Sequence, residues 1–76
     1  MVHILRPKFV YYVPVVWRRG QKLGAHGPHF KKVEDAMLWL ARQMARDVDF
    51  NRGIVWGCEG DDSYYEPTKV WELKAK

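Results

Sequence analysis

The chain has a single cysteine, Cys58, among 76 residues. One cysteine cannot make an internal disulfide, so nothing here marks an oxidising compartment. Long hydrophobic runs are missing too. The longest uncharged ribbon, Phe9 to Trp17, contains Pro14 and falls well short of the roughly 20 apolar residues that span a bilayer. Near the N-terminus, Arg6, Pro7 and Lys8 cut short any apolar core of a secretory signal. These absences lead to the expectation of a cytoplasmic protein with no membrane segment. Repeats, linkers and low-complexity stretches are also lacking, so residues 1–76 read as one domain. Acid is absent from the first 32 residues, which hold Arg6, Lys8, Arg18, Arg19, Lys22, Lys31 and Lys32 and no Asp or Glu.

That absence splits the charge. The first 32 residues carry +7, and the remainder carries six Lys/Arg against nine acids, or −3, which together give the net +4. A basic side is expected, although uneven scatter on a small protein would look the same. Hydrophobic residues make up 47% and aromatics 14%, with four Trp, a composition that folds. A chain this short buries only about 60% of its unfolded surface and leaves little room for a deep substrate pocket.

"FVYYVPVVWRRG" is rich in Val, Tyr and Phe and predicts a strand over Phe9–Trp17. Its odd positions (Phe9, Tyr11, Val13, Val15, Trp17) and its even positions (Val10, Tyr12, Pro14, Val16) are both apolar or amphipathic. Pro14 cannot donate to a ladder, so an edge or a bulge is expected there. "RRGQKLGAHG" reads as a hairpin loop, with a short return strand near His29–Lys32. "VEDAMLWLARQMARDV" predicts a helix with an apolar stripe of Val33, Met37, Leu40, Ala41, Met44 and Val48. Glu34 and Asp35 suit its N-terminal dipole, and Arg42 and Arg46 suit the other end. Asn51 and Gly53 are read as its stop. "GIVWGC" and "YYEPTKVWEL" read as two further strands joined by an "EGDDS" turn, with Pro67 hinting at an edge or a bulge. The order ββαββ predicts an α+β two-layer sandwich, a four-stranded antiparallel sheet with one helix. The helix can cover one sheet face. The other needs a loop, a second subunit or a partner.

Candidate chemistry is thin. His26 and His29, with His3 and Cys58 remote, lack the paired spacing of a structural zinc site and read as a solvated loop pair, so no metal or cofactor is expected. Glu59, Asp61, Asp62 and Glu66 surround a turn, where Asp and Gly serve the backbone. No neighbouring His is placed to activate Cys58, and no phosphate loop or nucleophile elbow occurs. An enzyme is not expected. Basic residues at a strand end and its return, Arg18, Arg19, Lys22, Lys31 and Lys32, would suit a phosphate backbone, with Tyr11, Tyr12 and Trp17 available for stacking. They would equally keep an apolar sheet soluble and blunt its edge. On the helical wheel Trp39 lies about 160° from the stripe centre, beside Asp35, Arg42, Gln43 and Arg46. That composition fits a protein-binding hot spot, and it also fits a Trp folded down on a loop or covered by Arg42.

"FVYYVPVVWRRG", "FKKVEDAMLWLARQMA" and "GIVWGCEG" together resemble, in organisation over most of the chain, small proteins of phages and mobile elements, among them the anti-CRISPR proteins. The resemblance is of layout and carries over no functional residue. It implies a non-enzymatic inhibitor that occupies a surface of a nucleic-acid-processing complex in the host cytoplasm. Many of that group are acidic DNA mimics, and the basic N-terminal half departs from that pattern. The expectation is therefore a binding protein whose partner is a protein or nucleoprotein complex. One contact would come from Arg18, Arg19, Lys22, Lys31 and Lys32, and a second from Trp39, Arg42 and Arg46. The alternative is a stand-alone DNA- or RNA-binding protein using the basic hairpin. A homodimer, each copy covering the other's spare sheet face, is compatible with either.

Overall fold

A computed structural model describes residues 9–59 and 67–75. The elements are β1 (Tyr11–Arg18), β2 (Ala25–His26), α1 (Val33–Arg46), β3 (Phe50–Cys58) and β4 (Thr68–Lys74). The strands form one antiparallel sheet in the order β2-β1-β3-β4, and α1 lies across it. The fold is the expected α+β arrangement of one helix and four strands.

Register decides which side chains share a face, because directly opposed residues of an antiparallel pair point the same way. On the helix side the rows are Val16–Gly53–Leu73 and Pro14–Val55–Trp71. Against them α1 packs Ala36 and Leu40, both fully buried, and Val16, Phe50 and Val55 complete the core. Gly53 makes this approach possible. A Cβ there would sit 2.6 Å from Leu40 Cδ2, closer than a side chain tolerates.

Several boundaries differ from the sequence expectation. The apolar stripe of α1 is rotated towards Ala36: Val33 and Met37 are half-buried, whereas Ala41 and Met44 are exposed. Val48 lies beyond the helix and is 87% exposed, because Asp47 has already turned extended and donates its N–H to the Gln43 carbonyl. Asn51 and Gly53, read as a helix stop, belong to β3. The return strand falls at Ala25–His26, with one further bridge between Tyr12 and Phe30, rather than at His29–Lys32. Between those two pairings the chain carries one extra residue around Gly27–Pro28, opposite Pro14. Pro14 has no N–H to offer, and its carbonyl accepts the Gly27 N–H at 2.8 Å. The proline therefore faces the irregular side of β1, as its chemistry requires. Tyr64–Glu66, at the start of the expected fourth strand, lie outside the described residues.

Candidate binding surfaces

Topology places Arg18, Arg19 and Lys22 at one end of the molecule and Lys31 and Lys32 at the other, while Arg6 and Lys8 lie outside the described residues. β1 and α1 run in the same direction, from the Tyr12–Phe30 bridge towards Asp47. Arg18 closes β1, Arg19 follows it, and Lys22 sits in the turn that leads back to β2. The turn is held by Gln21 N–H on the Arg18 carbonyl at 3.0 Å, and Arg19 N–H is held on the Asp49 carbonyl at 2.8 Å. Arg46, the last helical residue, joins this end because Arg18 Nε donates to Oδ2 of the adjacent Asp47. Arg42 is one helical turn back, about 6 Å. Lys31 and Lys32 precede α1 at the other end, roughly 20 Å away by the rise of six strand residues.

Asp47 organises the basic end. Its carboxyl is held below its ordinary pKa first by the Asp49 backbone N–H, donated to Oδ1 at 2.9 Å, and then by Arg18, against a desolvation that pushes the other way. Arg18 is thus partly committed inside the molecule, while Arg19, Lys22 and Arg46 are exposed and form no ion pair among the described residues. Trp39 does not stand free on the helix. It is half-buried and lies against Gly27, where a Cβ would meet its ring at 2.6 Å. The indole closes the gap between helix and β2 loop, and Leu38, 49% exposed, is the most exposed large apolar residue of the helix.

The sheet face away from the helix holds a second surface. Its rows are Tyr11–Cys58, Val13–Trp56–Lys69, His26–Val15–Ile54–Glu72 and Trp17–Arg52–Lys74. Val13, Val15 and Ile54 form a buried floor. The loop at Gly24 passes against Val15 and the Trp17 indole. The Arg52 guanidinium sits 4.6 Å from the Trp17 ring centre. Among the described residues no helix lies on this face. A cleft of about 340 Å³ opens there, lined by Val13, Val15, His26, His29, Trp56, Cys58 and Pro67. His29 stacks on Tyr11 with ring centres 4.6 Å apart and planes within 5°.

An irregularity after Val55 gives β4 an extra residue, which brings Lys69 and Glu72 onto one face despite their odd spacing. Lys69 Nζ donates to Glu72 Oε1 at 3.0 Å, and Arg52 Nη1 approaches Oε2 at 4.0 Å. Glu72 is held below its ordinary pKa chiefly by that Lys69 hydrogen bond.

The histidines, read in the sequence as a loop pair, thus line the cleft with Trp56 and Cys58. The available signal was the apolar odd-numbered side of β1, which announced a second surface. The sequence did not reveal that His26 and His29 would flank it, because the extra residue at Gly27–Pro28 puts both on one side. Among the described residues, no three His, Cys, Asp or Glu side chains are placed to share a metal ion, and no helix is long and apolar enough to cross a membrane. Compared with protein-family models, curated proteins and solved structures, the chain matches none.

Proposed function

We propose that this protein is a non-enzymatic binding protein, an inhibitor of the anti-CRISPR kind that works in the host cytoplasm by occupying a surface of a protein or nucleoprotein complex. The observation that supports this reading is the gathering of Arg19, Lys22 and Arg46 at one end of the molecule, around the Arg18–Asp47 pair. Exposed arginines of this kind are frequent anchors at interfaces, and their charge selects an anionic partner surface. Trp39 contributes by fixing the helix against the β2 loop, which sets where Arg42 and Arg46 point. Homodimerisation through the helix-free face is compatible with this role.

Affinity capture from host lysate tests the reading. A tagged chain should retain a stable complex that Arg19→Glu with Lys22→Glu releases. Failure to retain any partner at physiological salt would overturn it.

A further inference from the structure

We propose that the helix-free face binds single-stranded nucleic acid, with an unstacked base seated in the cleft beside Trp56 and the phosphate backbone passing towards Arg52 and Lys74. The inference rests on the nucleoprotein reading above and names the part of such a complex that is touched.

Three observations carry it. The first is shape and chemistry. The cleft measures about 340 Å³, has a Val13–Val15 floor, and is walled by the Trp56 indole and the His26 and His29 imidazoles. Flat aromatic walls over an apolar floor suit a flat aromatic ligand, and every nucleobase offers a π-face. The second is charge. Among the described residues on the paired rows of this face, Arg52, Lys69 and Lys74 stand with Glu72 as the one carboxylate, an excess of two cations. The third is direction. Trp56 and Arg52 are four residues apart on β3, so a base site and a phosphate site lie about 13 Å apart along one strand. Arg52 is held over Trp17, which keeps its guanidinium on this face instead of over the sheet edge.

These features select a single strand over a duplex. In a duplex the bases are stacked on one another and cannot enter a cleft, whereas an open antiparallel sheet bearing aromatics is well suited to splayed-out bases. An acidic peptide would satisfy the cations but has no use for the indole and imidazole walls unless it also carries an aromatic anchor.

Fluorescence anisotropy of a labelled 12-nucleotide oligo-U and oligo-dT, and of a 12-base-pair duplex, tests the proposal on the full chain. The single strands should bind more tightly than the duplex. Trp56→Leu, which keeps apolar bulk and removes the π-face, should weaken single-strand binding about tenfold or more, and Trp56→Phe should retain most of it. Arg52→Ala with Lys74→Ala should lower the salt slope by up to about two phosphate contacts. Leu38→Ala, on the outward face of the helix, should change nothing. Circular dichroism confirms folding of each variant before titration.

Absence of single-strand binding at low salt, equal binding of Trp56→Leu and wild type, or an oligo-glutamate peptide that competes as well as the oligonucleotide would each overturn the proposal. If strand binding fails while the complex captured from lysate persists, the surface-occupying function stands without this site. If both fail, the functional reading falls with it.

Discussion

At the scale of single residues, a few contacts decide the packing. Leu40 is fully buried and rests on Gly53, so the pair tests how closely helix and sheet approach. Leu40→Ala should cost about 2–5 kcal/mol by leaving a cavity. Gly53→Ala should cost about 1–3 kcal/mol by overpacking the same spot. Urea unfolding checks both, and a neutral Gly53→Ala would mean that the helix can ride outward freely. Acid acts on two other residues. Asp47 and Glu72 titrate below their ordinary range in the folded chain. The unfolded chain therefore takes up protons first as pH falls. The stabilisation from these carboxylates is complete above the ordinary carboxylate range, begins to fall as pH drops below about 4, and is lost as pH passes down through their lowered folded values. Asp47→Asn with Glu72→Gln should flatten the fall in urea midpoint between about pH 5 and pH 3, with little change in its shape above that window.

At the scale of elements, the helix and the two central strands were legible because their signals are strong and local. Val33 to Arg46 has helical spacing and acids in the first turn, and β1 is dense in β-formers. What the pattern misjudged was the centre of the stripe. A wheel weighted by large apolar side chains points at Met44 and Val48, yet the sheet presents Gly53, and a close approach favours the small Ala36 beside Leu40. β2 escaped detection for the opposite reason. Ala25 and His26 have little strand character, and their pairing with Val16 and Val15 is imposed by the neighbour. The wheel angle of Trp39 leaves both an open face and a fold down on a loop, and the β2 loop decides for the second by bringing Gly27 beneath it. Gly27→Ala should therefore loosen the helix–loop contact and raise tryptophan exposure. Acrylamide quenching would show it, and unchanged quenching would argue that the indole has no such support.

At the scale of the whole molecule, the sequence announced a basic half but not where its charges meet. Residues 9–32 run along β1 and back, so their cations separate into an Arg19–Lys22 end and a Lys31–Lys32 end. Arg46 joins the former from a different element, because the adjacent Asp47 accepts the Arg18 guanidinium. Among the described residues no helix covers the second sheet face, and the β2 loop and the two histidines border it. The described residues thus offer two surfaces for contact, the basic end and the aromatic cleft, and the proposed function uses the first to recognise an anionic partner.

The most direct measurement compares two charge reversals of equal size. Arg19→Glu with Lys22→Glu, and Lys31→Glu with Lys32→Glu, each bring the net charge from +4 to zero. Both tagged variants are used beside the wild type to capture the partner complex from host lysate. The account predicts that only the Arg19/Lys22 reversal abolishes capture. Equal loss in both variants would show that bulk charge, and not the basic end, holds the partner, and would contradict it.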